Sequence, residues 1–528
     1  MTKKPSPPAI VFFRGEQRLA AYIEQEVPFY RGNPFIEALP PVLNEEQVED
    51  CLGYYPDYDS SYRLLSSEAR LQMVQNSTQF FQVLPVHFDL QQRISRMIRS
   101  GYRNRNPMER GHWRDMDQRI RSLAPSTTLL RNTARPLPSG FTIIGLPGVG
   151  KTSSIQGVLS LYPQVISHGK YKERELTCSQ IAWLKLEAPF DSSIKGICLQ
   201  FFAAVDDILG TNYQTNAGGK NTDELLLQIA RVAANHGLGM LVIDEIQRLS
   251  QAKSGGAEKM LNFFVQLANT IGVPVLLVGT PKARHILSGQ FHQIRRGLGQ
   301  GDMIWDRMPE GQWVGEDDQK TLPGVWQLFV EALWMYQYTR TPTALTAELA
   351  ATLYEQSQGI VDIAAKLYML SQARAITTTS EGQELLTSII IRSVAIDSLR
   401  QAQPVLKALR MGDTRALSEY DDMQPLDLKE LIQQPQQSLF AVTDREEEGT
   451  TSQVNATTTN STANQNETNS AQNSKRRFNK KKSADNHDAD DLRSILDHGK
   501  NPQVSAAERL LQAGHLQSAP EDERRDAA

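Results

Sequence analysis

Gly145-Leu-Pro-Gly-Val-Gly-Lys-Thr152 frames four residues between two glycines and follows them at once with Lys-Thr. That spacing leaves the chain few options. Glycines allow successive backbone N–H groups to converge on a phosphate, the lysine reaches the terminal phosphates, and the threonine hydroxyl ligates Mg²⁺. The mechanism needs a strand before the loop and a helix after it. The apolar run 141–144 and the amphipathic stretch 152–161 supply both. Gly145, Leu146, Pro147, Gly148, Val149, Gly150, Lys151, Thr152 and Ser153 are therefore the expected nucleotide contacts, with ATP and Mg²⁺ as ligands.

The surrounding sequence agrees. Phe141–Ile144, Ile181–Leu186, Met240–Ile243 and Val273–Val278 are unbroken apolar runs of strand length, and helical patterns at Ile194–Leu209, Glu224–Asn235 and Glu258–Asn269 separate them. Strands without alternation are buried on both faces, so the pattern predicts an α/β fold with a parallel sheet. The run Met240–Ile243 ends in Asp244-Glu245. An Asp there can hold Mg²⁺ through its water shell, and the adjacent Glu245 points elsewhere and can polarise an attacking water. Thr280 closes the run after Val273 and can hydrogen-bond the γ-phosphate or the water. Arg295 and Arg296, 15 and 16 residues later, are either a solvated helix end or a finger reaching a neighbouring subunit's phosphate.

Outside this core the chain changes character. Fourteen of its 32 Phe and Tyr lie between Phe12 and Tyr102, interrupted by Pro34, Pro40, Pro41 and Pro56. This reads as short helices and loops that build a small core or offer an adhesive surface. Nine arginines between Arg93 and Arg121 face only Glu109, Asp115 and Asp117, and they mark either a solvated helix face or a phosphate contact. From about Val325 to Ile432 the pattern is helical throughout. From Thr450 to Ser474 all but five of 25 residues are Ser, Thr, Asn or Gln, which cannot bury a core. A basic knot, Lys475–Lys482, and two short helical patterns at Asp490–Gly499 and after Ser505 close the chain. The latter suit a tethered peptide that folds on a partner. The net charge of −4 excludes a wholly basic nucleic-acid binder, and Cys51, Cys178 and Cys198 lack the pairing of a disulfide scaffold or zinc site. No signal peptide and no membrane-length apolar run are visible, so a cytoplasmic location is expected.

The order of strand, phosphate loop, helix, Asp-Glu strand, polar-tipped strand, paired Arg and helical lid resembles the AAA+ ATPases. The stretches GLPGVGKTSS, LVIDEIQRL, LLVGTPKAR with the following IRRG, EALWMYQYT and LTCSQIAWLKLEAPFDSSIKGICLQFFAAVDDILGTNY resemble the TnsC/TniB group of bacterial transposon target-selection ATPases. The resemblance spans roughly residues 110–400. It implies an ATPase that oligomerises as a ring or filament on duplex DNA, is recruited by a target-selection protein of the TniQ/TnsD kind, and activates transposase subunits. Lys170, Lys172, Arg174 and Lys195 are the candidate DNA contacts; Lys185, alternating with apolar neighbours, is read as a snorkelling side chain. Many AAA+ lids place an arginine three residues after a glycine, but Gly359-Ile-Val-Asp362 puts an acid there, with Lys366 one turn on. The expected organisation is an aromatic-rich partner-binding segment (1–108), an AAA+ core (109–310), a helical lid with C-terminal helices (311–440), a disordered linker (441–483) and a recruitment peptide (484–528). A helicase loader or initiator ATPase, or a P-loop signalling switch that ignores DNA, fits the same nucleotide motifs.

Overall fold

A computed structural model of the chain describes residues 12–121, 140–189, 193–251, 256–283, 300–315, 323–378 and 383–413. The paired arginines Arg295 and Arg296, the linker, the basic knot and the recruitment peptide lie outside the described residues.

Two sheets organise the core. The first joins β1 (Gln17–Leu19), β3 (Val165–Tyr171) and β4 (Arg174–Ile181) in the order β1-β3-β4. The second holds β2 (Phe141–Gly145), β5 (Leu184–Glu187), β6 (Leu241–Asp244), β7 (Val275–Gly279) and β8 (Asp302–Trp305) in the order β5-β6-β7-β2-β8, with every pair parallel. The run Ile181–Leu186, read as one strand, is the end of β4 and the start of β5. At Ala182-Trp183 the chain passes between sheets, fixed where Trp183 Nε1 donates to the Tyr162 carbonyl at 3.0 Å.

Strands β6, β7 and β2 of the five-stranded sheet are buried on both faces, as unbroken apolar strands require, whereas β8 at its end is exposed on one. Ile144, Leu184, Leu186, Ile243 and Leu277 face one layer, into which α5 (His112–Arg121), α7 (Ile194–Leu209), α9 (Thr222–Asn235) and α10 (Gly256–Ile271) pack. Short α8 (Tyr213–Asn216) follows α7. Local chemistry starts these helices: Asn221 and Glu224 form a reciprocal capping box at α9, and the Ser193 side chain caps α7. Ile143, Val242, Leu276 and Val278 face the opposite layer, made by α1 (Pro34–Glu37), α2 (Glu45–Leu52), α4 (Pro85–Arg103) and α6 (Lys151–Ser160).

The lid has its own core, formed by α11 (Val325–Trp334), α12 (Ala347–Ser357), α13 (Val361–Thr378), α14 (Ser388–Ser398) and α15 (Gln403–Met411). It is not helical throughout. Residues 335–346 run outside regular structure, where the TRTPT sequence breaks the helix and Tyr336 and Tyr338 are buried.

The aromatic-rich segment contributes to both cores. Phe35 and Tyr102 pack under the sheet, whereas Phe80 stacks on Tyr336 of the lid. It is also less fragmented than its prolines suggest, since α4 runs for 19 residues with Pro85 in its first turn, where a proline is tolerated. Helix α3 (Ser67–Met73) carries Arg70, whose buried guanidinium grips Glu384 of the lid, with Nη2 to Oε1 at 2.8 Å, and donates to the Tyr338 carbonyl.

Three of the nine arginines in this stretch are structural. Arg99 is buried and donates to Ser95 Oγ and the Pro40 carbonyl; Arg105 is buried, donates to the Leu238 carbonyl at 2.6 Å and lies over the Tyr102 ring. Arg93 pairs with Asp89 and donates to the Gln300 carbonyl. For these three the phosphate-contact reading is corrected: they brace α4 against the chain around it.

Candidate nucleotide site

Strand β2 delivers the phosphate loop to the C-terminal end of the sheet and α6 carries it away. Gly148 (φ +77°) and Gly150 (φ +94°) occupy the left-handed region, which a side chain would strain. The first N–H groups of α6 and its dipole therefore face a prospective anion. Lys151 Nζ donates to the carbonyls of Gly145 and Leu146, both at 2.7 Å. Trp305 Nε1 holds the Val149 carbonyl at 3.1 Å from β8. The loop is also braced from behind. Ser154 Oγ donates to the Gly150 carbonyl at 2.7 Å, and His87 Nε2 lies 3.0 Å from that hydroxyl. The Leu84 N–H donates to His87 Nδ1 at 2.8 Å, so the ring proton sits on Nε2, directed at Ser154. Burial pushes the His87 pKa down to about 4, and the imidazole stays neutral.

The acidic strand end lies one strand away, because β7 separates β2 from β6. Asp244 Oδ2 accepts from Thr152 Oγ1 at 3.1 Å, and its Oδ1 accepts from the Glu245 N–H at 2.9 Å. Glu245 itself has φ +58°, unusual for a non-glycine residue. This turn sends the two neighbouring carboxylates in different directions. Burial, then the charge of Asp244, raises the Glu245 pKa above the usual carboxylate range, against the pull of Arg248, Gln247 and Lys151. A raised pKa makes the carboxylate a stronger base once ionised. Gln247 connects the parts: its amide nitrogen donates to Glu245 Oε2 and its oxygen accepts from the Thr280 N–H at 3.1 Å. Thr280 Oγ1 is buried at the tip of the middle strand without a hydrogen-bond partner. A hydroxyl so placed is suited to a ligand oxygen or a water.

Lys151, Thr152, Glu245, Gln247 and Thr280 line one end of a 1490 Å³ cavity, with Asp244 buried against Thr152. Elsewhere its lining includes an apolar set, Phe80, Phe81 and Val86 from the N-terminal segment with Phe329, Ile360 and Ile363 from the lid, beside charged Asp306, Arg307, Asp362 and Lys366. Such a lining suits a molecule with a flat, weakly polar base and a charged phosphate tail. Thr152 and Asp244 present two hard oxygen donors 3.1 Å apart. That fits Mg²⁺, which keeps several waters and takes few protein ligands. When bound, Mg²⁺ would neutralise charge on the phosphate oxygens. Among the described residues no cluster of three or more His, Cys, Asp or Glu could hold another metal.

The lid meets the loop through the backbone of Asp362. The Asp362 N–H donates to the Gly148 carbonyl at 3.0 Å, and Lys366 Nζ pairs with Asp362 Oδ2 at 2.8 Å while lining the same cavity.

The structure thus brings Lys151, Thr152, Asp244, Glu245 and Thr280 together. Lys170, Lys172 and Arg174 gather instead at the tip of the β3–β4 hairpin, turned through Lys172 and Glu173 at positive φ. Lys170 pairs with Glu173 at 2.6 Å and Lys172 with Glu37 at 3.7 Å. Lys195 is exposed in the first turn of α7. One reading is overturned. Lys185 does not snorkel; its side chain is 4% exposed and its ammonium lies 3.1 Å from Asp244 Oδ2. His87, Trp305 and Gln247 carry no motif and are not evident in the sequence. Gln247 alone leaves a trace, two residues after the Asp-Glu pair.

Residues 138–287 match the family model of the AAA domain. No curated protein matches the chain in sequence. Among solved structures, the Orc1 protein of Aeropyrum pernix in complex with DNA is similar at 14% identity and a TM-score of 0.33, covering 61% of this chain and 80% of that one. Cdc6p of Pyrobaculum aerophilum gives 13% identity and 0.30, over 50% and 67%. A mutant RuvB of Thermotoga maritima gives 14% and 0.28, over 56% and 81%. With its parallel five-stranded sheet, phosphate loop and many helices, this chain has an α/β AAA+ P-loop fold.

Proposed function

We propose that the chain is an ATP-hydrolysing regulator of DNA transposition, of the TnsC/TniB type, acting in the bacterial cytoplasm. It assembles as a ring or filament on duplex target DNA and links a target-selection protein of the TniQ/TnsD kind to transposase subunits. The observation that carries the hydrolytic part is the left-handed turn at Glu245. It directs a half-buried, basic carboxylate at the cavity to Gln247, which also holds the Thr280 N–H. A module that only held nucleotide would need no such carboxylate.

In this reading Lys151 and the loop N–H groups orient the phosphates, and Thr152 and Asp244 hold Mg²⁺. Glu245 takes a proton from the attacking water, and the Thr280 hydroxyl positions that water or the γ-phosphate. Arg295 or Arg296 of a neighbouring subunit stabilises the developing charge. The DNA part is supported by the sequence resemblance of the segment between the two nucleotide motifs, and by the exposed basic hairpin tip there.

ATP hydrolysis measured alone and with a random-sequence duplex tests the proposal. Duplex should stimulate it. Neutralising Lys170, Lys172, Arg174 and Lys195 should shallow the salt dependence of DNA binding by about one unit of slope for every DNA phosphate left without its cation. Hydrolysis that responds only to a loaded replicative helicase would make the chain a loader or initiator ATPase. Indifference to all nucleic acid would leave a signalling switch.

A further inference from the structure

Strands β5 and β6 run parallel in a register that sets Lys185 beside Val242 and Glu187 beside Asp244. Paired residues share a face, so Lys185, two positions short of Glu187, reaches along the sheet toward the strand ends. Its four-carbon stem passes through the layer that contains Trp183 and Val242, and its ammonium arrives on Asp244 Oδ2 at 3.1 Å. That oxygen is also the one touched by Thr152 Oγ1 at 3.1 Å. The other carboxylate oxygen is taken by the Glu245 N–H. Glu187, the next acid on this face, is turned to Arg248 at 3.2 Å and does not compete for Lys185.

The pair is deeply buried, with side chains 4% and 3% exposed. An ionised carboxylate in such a place needs a counter-charge. Mg²⁺ alone could supply it, yet the chain carries a cation of its own on the metal-directed oxygen. We propose that Lys185 is a positioning residue that acts as a resident counter-ion for Asp244: it holds the carboxylate aimed at Thr152, and keeps free divalent metal from binding until nucleotide phosphates bring their negative charge. The AAA+ nucleotide site would then load metal and nucleotide together. This rests on the assignment of Thr152 and Asp244 to Mg²⁺.

The test uses thermal unfolding of the full chain, with Mg²⁺ titrated in the absence of nucleotide. Wild type should be nearly insensitive to Mg²⁺. Lys185→Met, which keeps the stem but removes the charge, should unfold several degrees lower in EDTA. It should recover as Mg²⁺ is added, with an apparent affinity about tenfold or more tighter than wild type, because a positive charge next to the metal is gone. The double variant Lys185→Met with Asp244→Asn removes both charges, so it should recover stability without Mg²⁺ and respond to none. A merely structural lysine would give the same loss of stability without the Mg²⁺ response. A Lys185→Met protein whose melting ignores Mg²⁺, or a wild type that responds as strongly, would overturn the proposal. Nucleotide affinity of wild type, compared in Mg²⁺ and EDTA, separates the two levels. If it is indifferent to Mg²⁺, the metal assignment itself fails, and the role of Lys185 fails with it.

Discussion

At the scale of single residues, the groups proposed to act on nucleotide, metal and water are legible in the sequence and those that hold them are not. Lys151, Thr152, Asp244 and Glu245 sit in contiguous motifs, because a loop that wraps a phosphate and a strand that ends in acids are local designs. The Lys151→Ala protein should lose nucleotide binding, whereas Glu245→Gln should bind ATP normally and hydrolyse it about 10²–10⁴-fold more slowly. Binding titration beside single-turnover kinetics checks both, and near-normal turnover in Glu245→Gln would remove it as the base. His87 is invisible because its partner Ser154 lies 67 residues away and the interaction exists only after folding. Its titration gives a second prediction. Unfolded, the ring titrates near 6.5; folded, burial lowers this to about 4. Between those values only the unfolded chain takes up the proton. The stability tied to a neutral His87 is therefore complete above pH 6.5 and is lost as pH falls toward 4, roughly 3 kcal/mol in all. In His87→Gln that component should vanish, so its melting temperature should fall less steeply across this range than that of wild type. Parallel curves for the two proteins would contradict the assignment.

At the scale of elements, the buried parallel strands and the helices between them can be read directly, since a strand covered on both faces must be apolar along its whole length. Four strands cannot, β4 among them, since Arg174–Gln180 is mostly charged and polar. β1, exposed at all three residues, and β8, exposed at alternate ones, have no continuous apolar signal. β3 mixes His, Gly and Lys into a sheet that is covered on one side only. The lid misleads in the opposite sense: the crossing 335–346 is aromatic enough to look helical, but Gln337 and Gln372 side chains satisfy its backbone instead of helical hydrogen bonds. The clasp between α3 and the lid is hidden for the same reason as His87. Arg70→Met should cost about 3–5 kcal/mol, because Glu384 would stay buried without its partner. Combining it with Glu384→Leu should recover most of that loss in denaturant unfolding. If the double variant were no more stable than the single one, the clasp would be more than an ion pair.

At the scale of the whole molecule, the proposed finger would make catalysis depend on a neighbouring subunit. If Arg295 or Arg296 acts on a neighbour, hydrolysis should rise faster than linearly with protein concentration. Replacing the finger should cost about a thousandfold in turnover while leaving nucleotide affinity intact. Mixing that variant with Lys151→Ala should restore part of the activity, since each supplies what the other lacks. No rescue from a mixture that still assembles would argue against a shared site. The clasp has a further consequence, for how the chain comes into being. Arg70 leaves the ribosome 314 residues ahead of Glu384. At about 5–20 residues per second, it waits on the order of 15–60 s for its partner. Phe80 and its neighbours wait for the lid as well, and β1 cannot pair until β3 has been made. During synthesis the first hundred residues thus present unsatisfied apolar surface, and the amino-terminal part of this protein is among the last to reach its final place.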